Sequence, residues 1–175
     1  MKRGGGWLVA GLTARLICGP VQADIHYVSL TSTNPTPPYT NWVTAATNIQ
    51  SAVSVATNGE TVLVSNGVYR HAAEIVVSNS ILVRGVNGAL VTIVQGEGLH
   101  RCVRLITNSI LDGFTLTNGL TAANGGGVSV ERGGVVRRCV IAGCSAASGG
   151  GVEFGSVTGM LDQCEVRDNS ASANG

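Results

Sequence analysis

The chain has 175 residues, of which only 12% are charged and 4% aromatic, and its formal net charge is +1. This weak charge offers no basic surface for nucleic acid, and no segment approaches the roughly 20 apolar residues of a membrane-spanning helix. With 44% hydrophobic residues and 25 glycines, the composition indicates a folded domain and not a disordered polyampholyte. Because aromatic residues are scarce, we expect a core of Val, Ile and Leu.

Residues 1 to 23 have the pattern of a secretory signal peptide. Lys2 and Arg3 form a short basic start, the apolar stretch WLVAGLTARLICG follows, and VQA, ending at Ala23, offers small residues for cleavage. Removing this segment leaves eight basic and ten acidic residues, so the mature chain carries a net charge of about −2. We therefore expect an exported protein, located in the extracellular space, at the cell surface or in the outer membrane.

Residues 24 to 59 predict an extended lead-in followed by one helix. Residues 32 to 42 contain three of the four prolines and favour an extended lead-in. The segment TNIQSAVSVATNGE then places four apolar residues at helical spacing. These are Ile49, Ala52, Val53 and Ala56. Thr47 or Asn48 is expected to cap the start of this helix, and Gly59 lies just beyond its end.

The remaining chain, residues 60 to 175, repeats with a period of about 25 residues. Short runs of Val, Ile and Leu are separated by clusters of Gly, Asn and Ser. Two sets of residues that occupy equivalent positions are Leu111, Val136 and Leu161, and Phe114, Cys139 and Cys164. In the last repeat the offset falls to 24, so that Val128 corresponds to Val152, as a one-residue change in a turn would produce.

A unit of this length cannot bury the apolar side of its strands alone, so successive units must stack. The leucine and asparagine frame of leucine-rich repeats is missing, and calcium-binding β-rolls need Asp after the glycines, where this chain has Val or Glu. The sequence therefore predicts an all-β fold, a right-handed parallel β-helix solenoid with about 25 residues per coil, roughly four coils and a short N-terminal capping α-helix. The triple glycines fit its corners.

The end of the chain also follows the repeat. The last residues, DNSASANG, correspond to GCSAASGG, which precedes the second glycine corner. The chain thus ends at Gly175, where another coil is expected to begin. An uncapped solenoid exposes the face of its last coil, so the pattern favours a C-terminal truncation, with missing coils or a partner covering that face.

Several segments together resemble a known family. They are HYVSLTSTNPTPPYTNWVTAATNIQSAV, GETVLVSNGVY, SILDGFTLTNG and the repeated GGGV. They are similar to exported bacterial right-handed parallel β-helix repeat proteins, including polymorphic outer-membrane-protein-like proteins, over roughly residues 26 to 175. The resemblance implies this architecture, which belongs to a superfamily shared with pectate lyases and polygalacturonases. No catalytic motif of either enzyme class can be transferred to this chain.

One column of outward-facing positions reads Asp112, Arg137 and Asp162 on three successive coils. The two aspartates would be about 9.5 Å apart, near the upper limit for the carboxylate pair of an inverting glycosidase. Arg137, however, favours the ionised form of both carboxylates, whereas a general acid must hold a proton. We therefore interpret the column as an ion ladder on a solvated face that fixes the register of the coils.

The last coil contains Asp162, Glu165, Arg167 and Asp168, the residue types that a calcium-dependent polysaccharide lyase would need. Neighbouring strand residues face opposite ways, so a solvated last coil explains this cluster better than a catalytic site does. Polysaccharide grooves also display aromatic side chains, and the mature chain contains a single Trp, Trp42. We expect Trp42 to anchor the cap.

Cleavage of the signal peptide would leave four cysteines. They are Cys102, Cys139, Cys144 and Cys164. An even number in an exported chain permits disulfides. Cys139 and Cys164 fall in the inward column below Phe114, as small core residues or as a bridge between stacked coils. The sequence does not pair Cys102 with Cys144, and without CxxC or clustered histidines it predicts no metal site.

The function that these patterns favour is an exported β-helix segment that serves as a structural or adhesive surface scaffold. Its partners would be polysaccharide or other cell-surface components bound through the coil faces. The alternative is a carbohydrate-active enzyme, either a polysaccharide lyase or a glycoside hydrolase. No catalytic residue can be assigned, and the sequence predicts no cofactor, no nucleic-acid partner and no transmembrane span.

Overall fold

Runs of Val, Ile and Leu form the strands of this protein, and the intervening Gly, Asn and Ser residues form its corners. The computed structural model describes residues 23–174, which form an all-parallel β-solenoid of about 4 turns. The predicted parallel β-helix and its period of about 25 residues per coil are confirmed. The predicted signal peptide lies outside the described residues except for Ala23.

Within the described residues, three sheets run along the solenoid, and each coil visits them in the same order. Sheet A stacks β1 (Ile25–Val28), β2 (Thr61–Val64), β5 (Leu82–Gly85), β8 (Ile110–Asp112), β11 (Val135–Arg137) and β15 (Met160–Asp162). Sheet B stacks β3 (Gly67–Arg70), β6 (Thr92–Gln95), β9 (Thr115–Thr117), β12 (Val140–Ala142) and β16 (Glu165–Arg167). Sheet C stacks β4 (Ile75–Val77), β7 (Val103–Leu105), β10 (Val128–Val130) and β14 (Val152–Phe154). A fourth, short sheet pairs β13 (Ser145–Ser148) with β17 (Ser170–Asn174). Coils 1 to 5 begin at β2, β5, β8, β11 and β15.

The register of the strands follows the repeat in the sequence. Val136 of coil 4 pairs with Leu111 below it and Leu161 above it, each 25 positions away. Val128 pairs with Val152, 24 positions later. The predicted one-residue change is therefore confirmed, and it falls in the turn and not in the strands.

The inward side chains of all three sheets form one core. Phe114, Leu116 and Ile141 are fully buried in it, and each such side chain contributes about 1.5–3 kcal/mol to folding. The inward positions of coil 5 are different, because Leu161 and Val166 are exposed. Coil 5 is therefore the most weakly packed part of the described solenoid.

The predicted helix is present as α1 (Ile49–Val55), and it covers the first coil. Its N-cap is Asn48, whose side chain accepts a hydrogen bond from the Ser51 N–H at 2.8 Å. The Gln50 amide continues sheet C beyond its edge strand β4, since it accepts from Val76 N at 2.8 Å and donates to Val76 O at 3.2 Å. The cap thus satisfies backbone groups that an open edge would leave unpaired.

The lead-in folds back onto β1. Tyr27 N donates to Tyr39 O at 2.8 Å, and the Trp42 ring lies edge-on to the Tyr27 ring, with centroids 4.7 Å apart. Trp42 therefore packs on β1, and its predicted role as an anchor of the cap stays a prediction. Within residues 23–174 no helix is long and apolar enough to span a membrane.

Candidate functional site

The charged column predicted on successive coils is present in sheet A, and it is longer than predicted. Arg84, Asp112, Arg137 and Asp162 occupy paired positions on coils 2 to 5. The ion pairs of this column among the described residues all end on Asp112. Arg137 Nη2 lies 3.1 Å from Asp112 Oδ2, and Arg84 Nε lies 3.8 Å from the same oxygen. The predicted ladder is thus wrong for Asp162, which joins none of these pairs.

Asp112 is also not on a solvated face, because its side chain is only 1% exposed. The chain turns sharply after it, at Gly113, where φ is +76°. Arginines from coils 2 and 4 then cover the carboxylate. The predicted solvated position of Asp112 is therefore corrected to a buried one. The causes are the turn at Gly113 and the three guanidinium groups around the carboxylate.

The third of these groups belongs to Arg138, which the sequence did not single out. Its Nη2 donates to Asp112 Oδ2, and its own φ is +50°. Regular strand alternation would direct Arg138 away from Arg137, but the left-handed backbone turns it to the same side. Gly113 and Gln163, at the equivalent positions of coils 3 and 5, also have a positive φ. The regular spacing of these three corner residues was the signal by which Arg138 could have been found.

Arg84 and Arg138 border a cavity of about 360 Å³ that opens on the outer surface at coils 2 to 4. Arg84, Arg138 and Asp112 line its charged side, Asn87 adds an amide, and Leu90 adds an exposed apolar side chain. The Arg84 and Arg138 side chains are 49% and 46% exposed, so their remaining N–H groups can reach a ligand. Three cations face one carboxylate, which leaves an excess positive charge suited to an anion.

The two oxygens of Asp112 differ. The three arginine contacts all involve Oδ2, and Oδ1 is buried without a hydrogen-bond partner in the part of the chain that the structure describes. An unpaired buried oxygen costs about 1–3 kcal/mol. Because Oδ1 is shielded from the surface, a ligand in the cavity would meet the arginine N–H groups and not this oxygen.

A second groove, of about 430 Å³, lies on sheet C. Arg104, Ser129 and Glu153 form its outward column on coils 2 to 4. Arg104 Nη2 contacts Glu131 Oε1 at 2.5 Å, and Ser129 Oγ donates to Glu153 Oε2 at 2.9 Å. The two glutamates are thus each engaged by a neighbour. This column was not predicted, although its strands VRL, VSV and VEF each place a polar residue between two apolar ones.

The acidic cluster of the last coil is solvated, as predicted. Arg167 contacts Glu165 at 2.7 Å and Asp168 at 2.8 Å, and all three side chains are exposed. The hydrogen bonds that Arg167 donates, first to Asp168 and then to Glu165, raise its pKa above the ordinary value. Among residues 23–174 no group of three or more His, Cys, Asp and Glu side chains could hold a metal ion.

The four cysteines of the mature chain lie in two pairs. Cys139 and Cys164 are in the predicted inward column, where Phe114 N donates to Cys139 Sγ at 3.4 Å. Cys102 and Cys144, which the sequence left unpaired, also contact one another. Gly119 makes room for this second pair, because a Cβ atom there would lie 3.0 Å from Cys102 Sγ.

Comparisons of this chain with protein-family models, with curated proteins and with solved structures found no significant match. The function must therefore be argued from the fold and from the chemistry of the two sites.

Proposed function

We propose that this chain is part of an exported β-solenoid scaffold that binds acidic polysaccharide at the cell surface. The observation that carries the proposal is the convergence of Arg84, Arg137 and Arg138 on one buried carboxylate beside an open cavity. The N-terminal pattern of residues 1 to 23 supports export.

A uronic acid has the groups that this cavity can recognise. Its carboxylate matches the guanidinium forks of Arg84 and Arg138, because arginine binds carboxylates through two parallel hydrogen bonds. The C–H face of the sugar can pack on Leu90, whose side chain is exposed. The volume of about 360 Å³ lies within the usual range of roughly 300–1,000 Å³ for ligand sites.

The solenoid adds a repeating surface to this site. Stacked coils place equivalent outward residues about 4.8 Å apart, so a polymer can contact several coils at once. Weak contacts along one polymer chain then add through multivalency. This arrangement favours adhesion over release of a small product.

A carbohydrate-active enzyme remains a second candidate, and the groove on sheet C favours it. Arg104 and the two glutamates are the residue types of lyases and glycosidases. However, Arg104 holds Glu131, and Ser129 holds Glu153. Both carboxylates are therefore already engaged by neighbouring side chains and not by an open substrate position. We therefore rank the binding scaffold above the enzyme.

The two candidates can be separated with polygalacturonate and a neutral galactan as a control polymer. We expect the purified protein to bind polygalacturonate, and Arg84→Gln and Arg138→Gln each to weaken binding about tenfold, the loss of one charge-assisted hydrogen bond of roughly 1.5 kcal/mol. Arg132→Gln is the matched control, because Arg132 is exposed and borders neither cavity. Equal binding of both polymers, or an unchanged affinity in both cavity variants, would contradict the proposal. Formation of unsaturated chain ends in the same mixtures would instead establish the lyase.

A further inference from the structure

Cys139 and Cys164 are stacked directly on one another in coils 4 and 5. Each precedes a strand of sheet B, and those strands pair Val140 with Glu165. The backbones are joined at this point, because Glu165 N donates to Cys139 O at 2.9 Å. Equivalent residues of stacked coils are about 4.8 Å apart, which lies inside the Cα separation of roughly 4.4–6.8 Å that disulfides span.

The two side chains also point into the same corner. Cys139 Sγ donates to Arg137 O at 3.2 Å, and Cys164 Sγ donates to Val136 O at 3.3 Å. Each thiol therefore lies beside the backbone of the same short segment of coil 4. The two thiols are also close enough to shift one another's pKa.

We propose that Cys139 and Cys164 form a disulfide in the folded, exported protein, which makes this pair a site of oxidative modification that joins coil 5 to coil 4. The oxidant is a disulfide of the glutathione class. The Cys164 thiolate attacks one sulfur of oxidised glutathione and releases one glutathione thiolate. The Cys139 thiol then loses its proton and attacks Cys164 Sγ, and this releases the second glutathione. Two protein thiols are oxidised and one disulfide is reduced to two thiols.

The environment of Cys164 suits the first step. Cys164 is partly exposed, whereas Cys139 is buried. The adjacent Cys139 thiol lowers the pKa of Cys164 to about 6, so its thiolate is present at neutral pH. The same contact, together with burial, raises the pKa of Cys139. The exposed member of the pair is therefore the attacking one, and the buried member resolves the mixed disulfide.

The second pair is an internal control. Cys102 and Cys144 also contact each other, but both are only 1% exposed. A glutathione molecule cannot reach either sulfur while the solenoid is folded. We therefore expect Cys102 and Cys144 to stay reduced under conditions that oxidise the first pair.

The bond would join coil 5, the last coil that the structure describes, to coil 4. Cys164 belongs to coil 5, whose residues Leu161 and Val166 are exposed. All three residues of β16 are exposed. A cross-link to coil 4 would limit the detachment of this coil from the rest of the solenoid.

The test is to incubate the folded protein with oxidised glutathione, stop the reaction with acid, unfold the protein in urea with N-ethylmaleimide near neutral pH to block free thiols, and cleave after Glu. Cys164 is then in peptide 154–165, Cys139 and Cys144 are in 132–153, and Cys102 is in 98–131. We expect mass spectrometry to find 154–165 joined to 132–153, and Cys102 blocked by N-ethylmaleimide. Cys144→Ser should retain this link, and Cys139→Ser should abolish it. The melting midpoint should rise on oxidation and fall again on reduction.

Several results would overturn the proposal. They are full blocking of Cys164 after incubation, a glutathione adduct on Cys164 that is never resolved, a link from Cys164 to Cys102 or Cys144, or a link that forms only in denaturant. The hydroxyl introduced by Cys139→Ser could still accept the hydrogen bond from Phe114 N, so we expect this variant to fold. If it does not fold, fragmentation of the linked wild-type peptides identifies the sulfur partner directly.

Discussion

Replacing Gly126 with Ala tests whether close backbone contact at the glycine corners holds the coils together. A Cβ atom at residue 126 would lie 2.5 Å from Gly150 O in the coil above, and it would also run into Ser145 O. Ordinary contacts begin at 3.4 Å, so the two corners would have to separate by about 1 Å. Neighbouring hydrogen bonds would then break, among them those from Gly127 N at 3.0 Å and Val128 N at 2.9 Å to Gly151 O.

The loss of two or three such bonds, at about 0.5–1.5 kcal/mol each, is partly offset by the lower entropy of the unfolded Ala chain. We expect Gly126→Ala to lower the free energy of unfolding by about 2–3 kcal/mol, which is a shift of roughly 1 M in the urea midpoint. Circular dichroism in urea measures it. Gly155→Ala is the matched control, because Gly155 is exposed and the nearest atom to its Cβ position is 3.3 Å away. Equal midpoints for the two variants would refute the close-contact account.

Three further predictions concern individual interactions, each measured by urea unfolding. Asp112→Asn should lower the free energy of unfolding by about 1–3 kcal/mol, because the arginines lose their shared anion. Solvent around the half-exposed arginine side chains keeps this loss below that of a fully buried ion pair. An unchanged urea midpoint would contradict the prediction. Asn48→Ala should lower the free energy of unfolding by about 1 kcal/mol, because it removes the helix N-cap. Thr47→Ala, one position earlier, is the control, and an equal loss in both variants would argue against Asn48 as the cap. Glu60 accepts from Thr57 N at 2.5 Å and from the His26 ring at 3.0 Å, and these contacts, the Thr57 bond first, lower its pKa from 4.5. The stabilisation that ionised Glu60 provides is complete above pH about 4.5 and is lost as the pH falls through the lower pKa of the folded state. Glu60→Gln should therefore make the free energy of unfolding depend less steeply on pH in acid. An equally steep dependence in both proteins would refute this.

The strands and their register could be predicted because each coil repeats the same alternation. Leu111, Val136 and Leu161 are equivalent in the sequence and pair in sheet A. The helix followed from the spacing of Ile49, Ala52 and Val53, which are buried in α1 as expected. These features depend on local patterns and on stacking, and both can be recognised in one chain.

The site could not be predicted in the same way, because it depends on corners. Strand alternation places Asp112 outside, but the turn at Gly113 and the reach of arginines from two other coils bury it. Arg138 joins the site only because its φ is positive. The contact between Cys102 and Cys144 likewise needs the space at Gly119. The positive-φ corner itself recurs every 25 residues, at Gly113, Arg138 and Gln163, but neither the reach of the arginines nor the contact between the two cysteines has a periodic signature.

The most direct test of acidic-polysaccharide binding is a crystal structure of the protein with a short oligogalacturonate. We expect a uronate carboxylate within hydrogen-bonding distance of the Arg84 and Arg138 guanidinium groups, with the sugar ring against Leu90. A saccharide bound in the sheet C groove beside Arg104 and Glu131, with the cavity at Asp112 empty, would contradict the account.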